Sequence, residues 1–298
     1  MKILLAEYAV GAGIEEFMLE GKAMLHTLVR SFVACGHEVI YPSSGIKLEA
    51  GKAVMTTGFE GTLKELSKKC DAALVIAPDE LLGDMTEIIE RNTRNLGCPS
   101  DSIHLCADKL ECTLALSHAN IPVPQTIGKG EYEGDFVIKP RFGCASEGIH
   151  RKNRGKLKAG FIATEFIEGE HLSVSLITGK TQLPLTVNRQ LIETGENFSY
   201  KGGIVPYHCE RNEEIIDVAK KTARVLGCRG YAGVDIVLGD RPYVIDVNPR
   251  PTSSIIGISR VMEDQIADLI LRSRFGDLPD HVEINGNFTF TKEDLSVF

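Results

Sequence analysis

The sequence predicts an α/β protein: a parallel-sheet domain over roughly the first hundred residues, then α+β structure. Three observations carry this. Strand-like and helix-like patterns alternate as far as residue 96. The segment Gly97-Cys98-Pro99-Ser100 interrupts that alternation. Beyond it, short apolar runs dominate, and two of them carry acids: Gly233-Val234-Asp235-Ile236-Val237-Leu238 and Tyr243-Val244-Ile245-Asp246-Val247-Asn248. The expected division is one domain over 1–101 and a second over 102–298, the latter split into subdomains 102–170 and 171–298.

In chain order, Lys2-Ile3-Leu4-Leu5-Ala6 reads as a buried strand. A helix is expected over 16–35, with Phe17, Met24, Leu25, Leu28, Val29, Phe32 and Val33 forming an apolar stripe and Gly36 ending it. A strand over 38–41 is expected to stop at Pro42, a third strand runs over 72–77, and 79–96 is largely helical. Strand–helix–strand alternation implies a parallel sheet covered on both faces, with ligands gathering at the carboxyl ends of its strands. A helix over 101–118 opens the second region and Ile121-Pro122-Val123-Pro124 ends it. Strands over 135–139, 161–167 and 172–178, a helix over 213–226, the two acid-bearing strands, and a helix over 264–275 before an irregular tail complete the expectation.

Composition narrows the function. Lys and Arg number 33 against 41 Asp and Glu, a net charge of −8, so the chain lacks the cationic surplus that nucleic acid demands. No apolar run approaches a bilayer span, and the first strand begins at once with no signal peptide, which points to a cytoplasmic protein. The eight cysteines form no C-x-x-C pair, which argues for core thiols in a reducing compartment rather than a zinc ribbon. Gly11 and Gly13 follow the first strand, but no third glycine follows at the dinucleotide-binding step and the turn is acidic; a P-loop is absent from the sequence. No Ser-His-Asp or Cys-His arrangement stands out. His208 and Lys201-Gly202-Gly203 are candidate amine-pocket residues, with a satisfied loop histidine as the alternative for His208.

The chemistry concentrates in the acid-bearing strands. Alternation puts Asp246 and Asn248 on one face, and an antiparallel partner would add Asp235. Three oxygen ligands without sulfur or imidazole describe a site for Mg²⁺ or Mn²⁺, ions that commonly bind nucleotide phosphates. Upstream, Lys109 sits in a helix after an acid, and Lys139 ends an apolar strand. The small-residue segment 141–149, including Ser146, can bring backbone N–H groups to phosphate oxygens. In Thr164-Glu165-Phe166-Ile167-Glu168-Gly169-Glu170-His171 a strand leads into a tight turn, and Phe166 and Ile167 are apolar enough to wall an adenine.

These pieces, in this order, resemble the ATP-grasp superfamily: Asp108-Lys109, Ile121-Pro122-Val123-Pro124, Val137-Ile138-Lys139-Pro140, Glu165-Phe166-Ile167-Glu168-Gly169, Gly233-Val234-Asp235 and Asp246-Val247-Asn248-Pro249-Arg250. The resemblance covers about two-thirds of the chain and implies an ATP-grasp fold of two α+β subdomains behind an N-terminal substrate-binding domain. It implies ATP as cofactor, with Lys109 and Lys139 on its phosphates and Glu165 and Ile167 offering main-chain contacts to adenine. It implies two Mg²⁺ or Mn²⁺ ions held by Asp235, Asp246 and Asn248. The sequence departs from the family at His171, which stands where an acid often binds ribose; Glu170 is the neighbouring alternative. Asp246 replaces the more usual Glu. The implied reaction joins a small-molecule carboxylate to an amine through an acyl phosphate, with Arg250 and Arg189 holding carboxylate or acyl phosphate. Glu7-Tyr8-Ala9, Glu20-Gly21-Lys22-Ala23-Met24, Leu172-Ser173-Val174-Ser175-Leu176 and 246–254 further resemble an archaeal subfamily that joins L-glutamate to an amine. For that amine, Glu7, Glu15 or Glu16 would suit the ammonium. The alternatives are another amino-acid or peptide ligase of the same fold and a nucleotide-binding regulator without catalysis. A homodimer is compatible with these features.

Overall fold

The computed structural model describes residues 1–143, 148–195 and 198–297. The chain opens with β1 (Lys2–Glu7), α1 (Tyr8–Ala12) and α2 (Met18–Ala34). It continues through β2 (Glu38–Ser43), β3 (Lys52–Met55), α3 (Phe59–Ser67), β4 (Ala72–Ile76), α4 (Asp79–Asn92) and β5 (Arg94–Asn95). These strands pair in parallel in the order β3-β2-β1-β4-β5. The central β1 buries Ile3, Leu4, Leu5 and Ala6, as a strand covered on both faces must. α2 buries Met24, Leu25, Leu28, Val29 and Phe32, while Val33, about 100° further round the helix, is exposed. Gly36 takes the left-handed conformation that ends the helix (φ 79°).

Three expectations change here. β2 runs through Pro42 to Ser43. Beyond Ile40 it has lost β1 as a neighbour and pairs only with β3, so a missing N–H on the open side costs nothing. β3 is a half-exposed edge of four residues and β5 has two, too short for a pattern to reveal. α3 escaped notice between them. The chain leaves β1 toward β2 and returns on the opposite side at β4. The carboxyl ends of β1 and β4 therefore flank the topological switch point, where ligands of such sheets bind.

The helix expected over 101–118 is two: α5 (Ser100–Ala107) and α6 (Lys109–His118). Asp108 breaks them. Its backbone is extended and its carboxylate accepts from the N–H groups of Leu110 and Glu111, so it serves as a helix cap. β6 (Thr126–Ile127), β7 (Glu131–Pro140), β8 (His150–Lys156) and β9 (Phe161–Glu165) form an antiparallel sheet in the order β6-β9-β7-β8. β9 ends at Glu165 rather than 167, opposite Phe136, where the β7 ladder loses its regular register.

A third sheet follows: β10 (Glu170–Thr178), β11 (Gln182–Glu193), β12 (Ser199–Val205), then α7 (Asn212–Val225), β13 (Gly230–Leu238) and β14 (Pro242–Asn248). α8 (Ser254–Val261), α9 (Ile266–Phe275) and β15 (Phe288–Thr291) complete it. Its strands are antiparallel in the order β14-β13-β10-β11-β12-β15. The tail expected to be irregular thus supplies an edge strand. Leu172, Val174 and Leu176 point into a core that runs on through α7 to α3 and α4, while Ser173 and Ser175 face the other way. The expected fold class, a parallel sheet ahead of α+β structure, is the one observed. Among the described residues no helix is long and apolar enough to cross a membrane.

Glu7 ends β1 at the switch point. It is 4% exposed and its carboxylate accepts from the Val10 N–H at 2.8 Å, capping α1. Burial pushes its pKa up to about 7, against the opposing pull of the Val10 and Ala9 amides and the Arg250 charge. α2 passes so close that a methyl on Gly21 would lie 2.4–2.6 Å from the carboxylate atoms. Because the folded value exceeds the ordinary 4.5, stability is fully present below about pH 4.5 and falls as pH rises through about 7. Glu7→Gln should therefore gain on wild type between about pH 5 and pH 8, by on the order of 3 kcal/mol in urea titrations. A variant-to-wild-type difference that stays constant with pH contradicts the buried-carboxyl account.

Candidate functional site

β13 and β14 place Asp235 opposite Asp246 and Gly233 opposite Asn248. β10 sets Ser173 beside Asp235, and β11 sets Asn188 beside Ser173. This polar row walls a cleft of about 290 Å³ between the two antiparallel sheets and the carboxyl ends of the parallel one. Asn248 Nδ2 donates to Asp235 at 3.1 Å, and Gln190 Nε2 donates to its other oxygen at 3.0 Å. Lys109, the first residue of α6, brings its ammonium to 3.2 Å from Asp246. Lys139, at the end of β7, donates to the Ile245 carbonyl at 2.9 Å. Both lysines are 7% exposed.

Charge in this cleft is unevenly matched. Burial and the facing Asp246 charge push Asp235 up to about 7. Burial also works against ionised Asp246, but the Lys109 and Lys139 charges outweigh it and hold that carboxyl below its usual range. Burial works against the Lys109 ammonium, and Asp246 with Asp79 more than restores it. Lys139 stays below the usual lysine value, through burial and the adjoining Lys109 charge. An all-oxygen set with one under-compensated carboxylate is what a hard divalent cation fits.

Arg250 follows β14 and donates from Nε to Asp79 at 3.0 Å, both side chains being largely buried. Asp79 follows β4 at the switch point, so this pair joins the parallel sheet to the acid-bearing strands. Arg189 lines the cleft above the Tyr207 ring, 3.9 Å from Glu170. Glu170 also accepts from the Tyr207 hydroxyl at 2.9 Å and does not line the cleft, whereas His171 does. The Nδ1 of His171 is buried without a partner, as is Oδ1 of Asn188. Glu165, Phe166 and Ile167 line the far wall. The Glu165 and Phe166 N–H groups are taken by the Gln125 and Asp135 carbonyls. Arg151 lies over the Phe166 ring. Ser146 falls outside the described residues.

Sequence reasoning singled out neither Gln190 nor Asp79. Asp79 carried a usable signal, an acid just past a parallel strand. The acids expected beside the ammonium do not line the cleft: Glu7 is buried behind it and Glu15 and Glu16 are exposed. Glu20, on α2, does line it. Gly203 lines it too; His208 stands outside, exposed and facing Asn212.

Residues 106–254 match the ATP-grasp domain family and 52–103 the pre ATP-grasp 3 domain. A tyramine–L-glutamate ligase of Methanocaldococcus fervens is 32% identical over 91% of this chain and 93% of its own. A tetrahydromethanopterin:alpha-L-glutamate ligase of Methanocaldococcus jannaschii is 32% identical over 58% of this chain and 67% of its own. The structure of an ATP-grasp superfamily protein from Archaeoglobus fulgidus superposes with a TM-score of 0.80 at 33% identity, covering 95% of this chain and 90% of that one. At 16% identity, N5-carboxyaminoimidazole synthetase from Staphylococcus aureus shares the fold, with a TM-score of 0.73 over 96% of this chain and 80% of its own. The chain belongs to the ATP-grasp family and is an ATP-dependent ligase that forms C–N bonds between small molecules. The family uses ATP and divalent metal ions.

Asp108 does two jobs next to Lys109. It caps α6, and it receives Arg141 in a two-pronged pair at 2.7 and 2.6 Å. The Lys109 N–H in turn donates to the Arg141 carbonyl at 3.0 Å. Asp108→Ala should cost roughly 1–2 kcal/mol in chemical denaturation through the lost cap. It should also raise the KM for ATP several-fold, because the start of α6 and the segment after β7 lose their shared anchor. An unaltered KM would show that Lys109 is positioned by other contacts.

Proposed function

We propose that the protein condenses tyramine with the γ-carboxylate of L-glutamate, giving γ-glutamyltyramine, ADP and phosphate. The observation that carries the chemistry is the facing pair Asp235 and Asp246, set in one cleft with two buried lysines. The substrate choice is supported by the tyramine–L-glutamate ligases that match nine-tenths of this chain.

The residues fit the groups the family uses. Asp235, Asp246 and Asn248 would hold two Mg²⁺ or Mn²⁺ ions, a need expressed in the raised Asp235 carboxyl. Bound there, the cations supply charge neutralisation for the transferring phosphoryl group. Lys109 and Lys139 hold phosphate oxygens, and Ser146 belongs to the small-residue segment whose backbone N–H groups can approach them. Phe166 and Ile167 wall the adenine, with the Glu165 carbonyl and the Ile167 N–H facing its edge. His171, whose Nδ1 has no partner, takes a ribose hydroxyl; Glu170 is already engaged by Tyr207.

The carboxylate is a poor electrophile because attack adds charge to an anion. Its oxygen attacks the γ-phosphorus, the bond to the ADP oxygen breaks, and an acyl phosphate results. The amine, having shed a proton, attacks the acyl carbon and phosphate leaves with the electron pair. Arg250, pinned by Asp79, steadies the acyl phosphate, and Arg189 holds the substrate carboxylate. No nucleophilic side chain is required; these residues position and neutralise.

A panel of amines and amino acids with ATP and Mg²⁺, read by phosphate release and product mass, tests the assignment. Tyramine with L-glutamate should exceed every other pair. Product only from a different pair would replace this reading with another ligase of the fold, and ATP binding without release from any pair would favour a regulator. Asp246→Asn should lower kcat by about a thousandfold or more. Mg²⁺ should raise the wild-type Tm by several degrees and leave that of the variant unmoved. Wild-type turnover in Asp246→Asn would refute the metal assignment.

A further inference from the structure

The cleft continues past the acids, toward the β12 and β15 edge of the six-stranded sheet. There its character changes. Of the phenylalanine and tyrosine side chains that line the cleft among the described residues, Phe198, Tyr200 and Phe290 stand at this end, and Phe166 alone stands at the other. Met24 adds a polarisable face from α2. Glu20, one helical turn before Met24 and on the same face, reaches the same space. Its carboxylate is 3.8 Å from the Lys292 ammonium, which also stands 5.9 Å from the centre of the Tyr200 ring. The floor is Gly203, opposite Gln190 on β11 and Phe290 on β15; Gln190 in turn donates to Asp235. One continuous surface therefore leads from the acids to the aromatic end.

We propose that this end of the cleft is the pocket for the aromatic ring of the amine substrate, with Glu20 accepting a hydrogen bond from a phenolic hydroxyl. The assignment rests on the ligase reading above and deepens it. Direction follows from the chemistry. The amine nitrogen must meet the acyl carbon beside Asp235 and Arg250, so the rest of the molecule points away from them. Were Glu20 instead to bind the ammonium, the nucleophile would sit at the wrong end. Rings prefer rings, offset or edge-on, and a carboxylate steadied by Lys292 is a strong acceptor with no proton of its own to give. A site of this kind should reject an amine that lacks the hydroxyl, since its acceptor would then go unmet.

The test compares tyramine with phenethylamine, which differs only by that hydroxyl. Wild type should favour tyramine in kcat/KM by roughly a hundredfold or more. Glu20→Gln should shrink the ratio at least tenfold by raising the KM for tyramine, with the KM for ATP within about twofold of wild type. A second variant acts on shape. A methyl at Gly203 would lie 3.3 Å from the Arg189 carbonyl, 3.4 Å from the Tyr200 hydroxyl and 3.5 Å from the Phe290 ring, filling the floor without a severe clash. Gly203→Ala should weaken both aromatic amines alike and spare ATP. If wild type uses tyramine but neither substitution alters amine kinetics, this inference alone falls. If wild type makes no product from tyramine and glutamate, the ligase assignment falls and takes this one with it.

Discussion

Two carboxylates facing each other across an antiparallel strand pair, recessed from bulk water, set the terms for the rest of this structure. Burial and mutual repulsion both act against ionisation of Asp235. Asp246 escapes that fate because two ammonium groups are brought to it from separate parts of the chain, one by the first turn of α6 and one by the last residues of β7. Asp246 favours the charge on both lysines, and both lysines favour the charge on Asp246. The arrangement is therefore a conditional one. It leaves one carboxyl, Asp235, held back from ionising by burial and by the Asp246 charge.

The part of this site written in local pattern was legible in the sequence. Period-two alternation put Asp246 and Asn248 on one face without any knowledge of the fold, and β-branched neighbours marked Asp235 as a strand residue. Lys139 announced itself by ending an apolar run. What stayed hidden depended on partners far away in the chain. β15 has four residues and exists because β12 offers it an edge. The break between α5 and α6 turned on one side chain, Asp108, which reads as a helical residue until its capping bonds are seen. That none of Glu7, Glu15 and Glu16 lines the cleft, while Glu20 does, was beyond reach for a related reason. A helix exposes acids on several faces, and only the packing of α2 against β1 decides that Glu7 is buried behind the cleft while Glu20 opens into it.

The walls of the cleft differ in how firmly they are held. The parallel sheet and the six-stranded sheet share two large apolar clusters. The four-stranded sheet that carries Lys139 and leads to Phe166 has its own small cluster around Tyr132, Phe136, Ile138 and Ala163. With so little buried apolar surface, it is the element whose placement is least determined by packing and most open to ligand contacts. Its ties to the rest are polar and specific: Lys139 to the Ile245 carbonyl, Arg141 to Asp108, and the Lys109 N–H to the Arg141 carbonyl. Each tie involves or adjoins Lys109 or Lys139, the two lysines proposed to hold the nucleotide phosphates.

The Asp79–Arg250 pair ties the parallel sheet to the end of the strand that carries Asp246. A buried ion pair adds little net stability, since desolvating both charges offsets most of their attraction. Its value here is geometric. Asp79 is fixed by its place just after β4, at the reversal of strand order, and it aims the Arg250 guanidinium across the junction between two sheets that pack through apolar cores. The same junction buries Glu7 against Gly21, leaving a carboxyl there that resists ionising and so does not compete strongly for Arg250. Of the two acids at the switch point, Asp79 pairs with Arg250 and Glu7 is held back from ionising by burial. Of the two, it is therefore Asp79 that holds the Arg250 guanidinium, at 3.0 Å from Nε.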